Sequence, residues 1–144
     1  MTDTPPVRFV EESDAPQIHA IYAPVVTNTA VSFAETPPSV DQMAERIRET
    51  RGRYPWLVCE RHGVIVGYTC AATFRQRRGY DWTVEVSVYV RPDAQREGIA
   101  SRLYESLFEV LRLQGFVNAI ALITLPNVAS VTLHERLGFE RVGV

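Results

Sequence analysis

The chain has 144 residues, a formal net charge of −2 and a pI near 5.9, which is one domain's length and lacks the basic excess that nucleic-acid binding needs. No apolar run reaches the ~18 residues of a membrane span, and Met1-Thr2-Asp3-Thr4-Pro5-Pro6 has neither the charge nor the apolar core of a secretory signal, so a cytoplasmic protein without a membrane partner is expected. The two cysteines, Cys59 and Cys70, lie in apolar runs and form neither a zinc pattern nor a disulfide framework, so they read as buried structural thiols.

In chain order, Val7 to Glu11 is a short strand, and Ser13-Asp14-Ala15-Pro16-Gln17 opens a helix with a capping residue and a proline in its first turn. Ile18, Ile21 and Tyr22 give that helix an apolar stripe, and Pro24 is expected to close it. Thr27 to Pro38 reads as loop with room for a short strand. Ser39-Val40-Asp41-Gln42 is a capping box, and Val40, Met43 and Ile47 recur at helical spacing through to Gly52. Trp56 to Arg61 and Val64 to Phe74 form a hairpin around His62-Gly63. Arg75 to Asp81 is a charged loop that joins this hairpin to the stretch on which the chain is organised.

That stretch is Thr83 to Leu103. Val84, Val86, Val88 and Val90 alternate with Thr83, Glu85, Ser87 and Tyr89, which is the period of a strand. Pro92 ends the pairing, and Gln95-Arg96-Glu97-Gly98-Ile99-Ala100 carries the chain into a helix. A strand that feeds a small-residue turn at a helix start gathers unpartnered backbone N–H groups on one spot, with the positive end of the helix dipole behind them, and such a spot binds phosphate. Gly98 and Ala100 let an oxyanion come close to the main chain, and Arg96 adds charge at the rim. The turn matches neither G-x-x-x-x-G-K-[ST] nor G-x-G-x-x-G, which disfavours a nucleotide triphosphatase or a Rossmann dinucleotide site.

The helix from Gly98 to Gln114 carries Ile99, Leu103, Leu107, Val110 and Leu111 on one face, with Gly115 as its stop. Ala119 to Leu125 is a further strand, Asn127 caps a helix from Val128 to Leu137, and Phe139 to Val144 begins another strand. His19 and His62 read as surface residues.

Gln95-x-x-Gly98-x-Ala100 after a valine-rich strand resembles the acetyl-CoA pyrophosphate loop of the GNAT N-acetyltransferases. Asn127 to Phe139 resembles that superfamily's N-x-x-A/S-x-x-L-[Y/H]-x-x-x-G-F segment, in the right order along the chain. Ile21-Tyr22, Ser32-Phe33, Glu35-Thr36-Pro37, Tyr54-Pro55, Gly67-Tyr68, Thr83-Val84-Glu85, Ser87-Val88-Tyr89-Val90 and Leu133-His134-Glu135-Arg136-Leu137-Gly138-Phe139 narrow the likeness to the phosphinothricin and methionine sulfone N-acetyltransferase group. The resemblance implies a mixed α/β fold: one GNAT domain over residues 1–144, with a mostly antiparallel twisted sheet splayed at its fourth strand and helices on both faces. Ala23, where relatives often carry Asn, and Val86, where they often carry His, depart from the pattern and bear on acceptor specificity. The chain also stops short of the strand pair that relatives place after Gly-Phe. Either the reading frame is truncated or a partner chain supplies the missing edge; if the chain ends at Val144 in the working protein, the expectation is a homodimer in which the 139–144 segments or the adjoining sheet edges meet, because an unpaired strand needs a partner.

The chemistry implied is direct transfer of acetyl from acetyl-CoA to the primary amine of a small amino-acid-like acceptor, without a metal. The amine arrives protonated, so a base must stand near it. Glu85, a carboxylate among valines whose pKa desolvation should raise, is the candidate; the other reading pairs it with an arginine of the 75–78 loop. Val88, Tyr89 and Val90 would pair with the pantetheine, and the Val88 N–H would polarise the thioester oxygen. Gln95, Arg96, Glu97, Gly98, Ile99, Ala100 and Ser101 would hold the pyrophosphate, and Asn127 and Ser130 would contact the cofactor from the last helix. Phe74, Arg75, Thr83, Val84 and Glu85 are the expected acceptor contacts. His134 stands where many of these enzymes have a tyrosine that protonates the departing thiolate, and a histidine that merely hydrogen-bonds on a helix face is the other reading. An acetyl-CoA-binding module without turnover and a protein N-terminal or lysine acetyltransferase are the alternative functions.

Overall fold

In a computed structural model of the chain, the described residues are 6–28, 38–73, 82–95, 97–121 and 128–140. They form strands β1 (Val7–Phe9), β2 (Trp56–Arg61), β3 (Val64–Thr73), β4 (Thr83–Val90) and β5 (Asn118–Ile120), and helices α1 (Ala15–Asn28), α2 (Val40–Thr50), α3 (Ile99–Gln114) and α4 (Val128–Arg136). Single 3₁₀ turns at Glu12–Asp14 and Pro92–Ala94 lead out of β1 and β4. The strands lie in one sheet in the order β1-β2-β3-β4-β5. All neighbours are antiparallel except β4 and β5, which run parallel.

Alternation along the strands assigns each side chain to one of two cores. Leu57, Cys59, Ala71, Val84 and Val86 face α3 and pack on Ile99, Leu103, Tyr104 and Leu107, while Trp56, Val58, Ile65 and Tyr68 face α1 and α2 and pack on Ile18, Ile21, Met43 and Ile47. Helices therefore cover both faces of the mostly antiparallel sheet, as the resemblance implied. The capping box is present: the Gln42 N–H donates to Ser39 Oγ at 3.1 Å, and the Ser39 N–H donates to Gln42 Oε1 at 2.8 Å. Positive φ at His62 (53°) and Gly63 (78°) turns β2 into β3.

Several boundaries differ from the sequence expectations. Pro24 does not close the first helix: α1 runs through it to Asn28, because proline forfeits one hydrogen bond while its φ already suits a helix, and the helix remains anchored by Ile18 and Ile21 in the core. Val40 is exposed, unlike Met43 and Ile47, because it stands in the first turn of α2, away from the contact. β1 is shorter than expected; β5 is described over Asn118–Ile120, and 122–125 of the expected strand lie outside the described residues. Phe139 and Glu140 are not in a strand; the Phe139 ring instead packs on Tyr104, Phe108 and His134, with centroids 6.1, 5.7 and 5.1 Å away. The rest of the expected 139–144 strand lies outside the described residues.

One ion-pair knot ties β1 to the start of α1 and to β2. Arg8 donates from Nη1 and Nη2 to Asp14 Oδ2 and Oδ1 at 2.8 and 2.9 Å, and from Nη2 to Glu60 Oε1 at 2.8 Å. The Glu11 N–H adds a bond to Asp14 Oδ2 at 2.8 Å. The Arg8 guanidinium holds the buried Asp14 carboxyl below the usual range, against the desolvation that would raise it. Asp14→Ala should lower stability by about 1–3 kcal/mol, because it strands a partly covered guanidinium and an amide. In the wild type the stabilisation is fully present above the unfolded carboxyl pKa of about 3.9 and is lost as pH falls through the lower folded value. Urea unfolding of both proteins at neutral and acid pH checks this, and the gap between their midpoints should close in acid.

Candidate active site

β4 is paired unequally on its two sides. Toward β3 it is matched from Val84 to Val90, opposite Thr73 to Gly67. Toward β5 the match covers Thr83, Val84 and Glu85 opposite Asn118, Ala119 and Ile120, and beyond Glu85 the described residues give β4 no partner on that side. A cleft lies at the carboxyl end of β4, where the turn into α3 begins.

At that turn Gly98 has φ +79° and caps α3 with no side-chain acceptor. A Cβ there would meet no protein atom within 4 Å, so the position is held open by backbone conformation alone, and an oxyanion can reach the first-turn amides. The turn is fastened from β3. Glu60 pairs with Ile65 and Cys59 with Gly67, which leaves Val66 as a bulge residue. The Val66 carbonyl accepts from the Arg91 N–H at 2.8 Å, and the Ile65 N–H donates to Gln17 Oε1 of α1 at 2.8 Å.

The cleft encloses about 1220 Å³. It brings together Val88, Tyr89, Val90, Gln95, Gly98, Ile99, Ala100, Ser101 and Ser130, all expected from the sequence as cofactor contacts. Glu97 stands beside it, paired with Arg61 at 3.0 Å. Arg96 and Asn127, and the acceptor candidates Phe74 and Arg75, lie outside the described residues. Gln17, Ile21, Leu133 and Arg136 also line the cleft and were not anticipated. Leu133 and Arg136 follow Ser130 at i+3 and i+6, so helical spacing could have found them. Gln17 has no local signal, because its role depends on a bulge contributed by another element.

Thr83, Val84, Glu85 and His134 do not line this cleft. The Val84 side chain is wholly buried in the core against α3, so it offers an acceptor no surface. Glu85 is half-buried and alternates with Val84 and Val86, which places it on the α1 side of β4 with Ser87 and Tyr89. Burial pushes its carboxyl above the usual range. The same face carries a row of rings: Tyr22 meets Tyr89 edge-on at 5.3 Å, Tyr89 meets Tyr68 at 5.3 Å, and Tyr68 stacks on Trp56 at 6.0 Å. Cys70, opposite Ser87, has its thiol pushed up to about 12 by burial.

His134 is 6% exposed. Its Nδ1 is 2.7 Å from the Ser130 carbonyl and its Nε2 is 2.9 Å from the Tyr104 hydroxyl. A carbonyl only accepts, so Nδ1 carries the hydrogen, and in the neutral ring Nε2 accepts the hydrogen of Tyr104. Both nitrogens are thereby engaged within the protein.

Residues 7–144 match the acetyltransferase (GNAT) domain family. Among curated proteins, the chain is 36% identical over 137 residues to a phosphinothricin N-acetyltransferase of Streptomyces viridochromogenes, covering 95% of this chain and 75% of that protein. It is 38% identical over 139 residues to a methionine sulfoximine/methionine sulfone acetyltransferase of Pseudomonas aeruginosa, covering 95% and 81%. Among solved structures, a phosphinothricin acetyltransferase from Sinorhizobium meliloti in complex with acetyl-CoA superposes with a TM-score of 0.92 at 36% identity, covering 97% of this chain and 77% of that one. A ribosomal-protein-alanine N-acetyltransferase from Brucella melitensis superposes at 0.90 and 36% identity, covering 96% and 86%. The fold is that of these acetyltransferases. The chain belongs to the GNAT acetyltransferase family.

Gly98→Val tests the turn. The positive φ costs a non-glycine residue about 1–2 kcal/mol, more for a β-branched one, and the new methyls point into the open space at the helix start. Acetyl-CoA affinity should fall roughly tenfold or more, with little change in core packing because no protein atom is in the way. Isothermal titration gives the affinity, and wild-type binding would place the pyrophosphate elsewhere.

Proposed function

We propose that the protein transfers acetyl from acetyl-CoA to the primary amine of a small amino-acid-like acceptor of the phosphinothricin, methionine sulfoximine or methionine sulfone type, by direct attack. The observation that carries this reading is Glu85. It is a desolvated carboxylate on the strand that floors the cofactor cleft, three residues before Val88 and so about 10 Å along β4 from it, on the face opposite the α3 core. The named substrates of the relatives supply the acceptor class, and the place of Val88, Tyr89 and Val90 in the cleft lining supports pairing of the pantetheine with β4, with the Val88 N–H polarising the thioester oxygen.

Glu85 takes a proton from the incoming ammonium, directly or through a water, which frees the nitrogen lone pair. The nitrogen–carbon bond forms as the carbon–sulfur bond breaks, and CoA departs as the thiolate. A raised pKa suits Glu85 to this task, because a carboxylate of ordinary strength is a poor base for an amine. An acetyl-cysteine relay is disfavoured, since the Cys70 thiol, pushed to about 12, yields almost no thiolate at neutral pH. For His134, the two hydrogen bonds favour a positioning role: the ring links Tyr104 of α3 to Ser130 of α4 and so helps to set the wall that Ser130 presents to the cleft. The name of the Brucella neighbour favours a second reading, acetylation of a protein's N-terminal amine.

A free-thiol release assay with small amino acids and an alanine-ended peptide as acceptors separates these readings. Turnover with the small amines supports the proposal, turnover only with the peptide supports the second reading, and cofactor binding without thiol release would overturn both.

Glu85→Gln should lower kcat by roughly 10²–10⁴ while acetyl-CoA binding persists. In the wild type the rate should fall as pH drops through the Glu85 pKa, which burial places above the ordinary value of about 4.3, and this acid limb should vanish in the Gln variant. An unchanged rate at neutral pH would remove Glu85 from the base role. Cys70→Ala should keep the rate within about threefold, because a relay through sulfur would instead lose the 10²-fold or more of a missing nucleophile; steady-state kinetics of the variant decides.

A further inference from the structure

Among its described lining residues the cleft holds no aspartate or glutamate and two arginines, Arg91 and Arg136, in a chain whose formal charge is −2. Arg91 is committed elsewhere: its Nη2 donates to Asp93 Oδ2 at 2.8 Å. Arg136 has no carboxylate partner among the described residues and stands exposed in the last turn of α4, on the face that also presents Ser130 and Leu133. The same cleft is lined by Gly98 to Ser101, the positive end of α3. A guanidinium without a carboxylate partner and a helix N-terminus that border one cleft both favour an anion there.

We infer that Arg136 binds the ribose 3′-phosphate of acetyl-CoA. The assignment rests on the acetyl-CoA reading of the cleft. The cofactor carries two kinds of phosphate. Its pyrophosphate needs close approach to main-chain amides, which the glycine-capped turn provides. Its 3′-phosphate is a terminal monoester with a charge of about −1.5 to −2 at neutral pH, and it lies at the periphery of the molecule. A long, planar, exposed guanidinium on a second element suits that group, because the fork can bond two of its oxygens at once.

The test compares acetyl-CoA with acetyl-dephospho-CoA, which lacks only the 3′-phosphate. The wild type should prefer acetyl-CoA in KM by roughly 5–20-fold, the worth of one partly exposed charge-assisted contact. Arg136→Ala should bring that preference close to one, and Arg136→Lys should keep part of it. Thermal melting monitored by circular dichroism checks that the variants fold, and the wild-type comparison stands without them. A wild type without preference, a preference that survives Arg136→Ala, or equal weakening of both cofactors by Arg136→Ala would each overturn the assignment, the last by placing Arg136 on the pyrophosphate. Calorimetric titration with CoA and dephospho-CoA gives the same contrast without turnover. Failure of both to bind would overturn the cofactor reading as well, and is told apart from equal binding of both, which overturns the Arg136 assignment alone.

Discussion

Buried backbone must find hydrogen-bond partners, and in this protein the constraint acts hardest on β4. Val84 and Val86 seal the strand against α3 while β3 pairs it from Val84 to Val90. On its other side the described β5 accompanies it only as far as Glu85. The strand is therefore held firmly enough to act as a floor for the cleft opening that Val88, Tyr89 and Val90 line. The rest of the fold places groups around that opening.

Two features of β3 bring the helix start to the opening. Gly67 lies under α3, and a Cβ there would come within 3.1 Å of the Tyr89 carbonyl and 3.2 Å of Ile99 Cγ2, so only the missing side chain lets α3 sit this close. One residue earlier, the Val66 bulge turns its carbonyl to the Arg91 N–H while the Ile65 N–H goes to Gln17. A bulge leaves such groups without ladder partners, and here α1 and the chain just after β4 take them up. The phosphate turn is thus braced from both sides of the sheet.

The alternation of β4 also divides the chemistry. Its valines face the core and the cofactor wall, whereas Glu85, Ser87 and Tyr89 face α1 and the aromatic row. Tyr89 and residues of α1 also line the cleft, so the proposed base Glu85 lies, by register alone, on the face of β4 that carries part of the cleft wall. The same register covers Glu85 enough to weaken it as an acid. In the proposed reaction the burial that builds the fold also tunes the base.

What was legible in the sequence was what local geometry dictates. The period-2 valines marked β4, the Ser39–Gln42 box marked the start of α2, His62-Gly63 marked the hairpin, and the glycine-led turn marked the start of α3, because each depends on φ, ψ and side chains only a few residues apart. Ser130 was found the same way, through a motif on one helix. The remainder was decided by contacts between elements distant in sequence. Pro24 sits inside α1 because packing against the sheet outweighs one lost hydrogen bond. Gln17 matters because a bulge 48 residues away leaves an amide for it, and the two nitrogens of His134 are occupied because Tyr104, 30 residues earlier, lies opposite. Arg136 comes to line one cleft with the positive end of α3 only once α4 is docked. Such pairings leave no periodic trace along the chain, since the position of each partner is set by the tertiary fold.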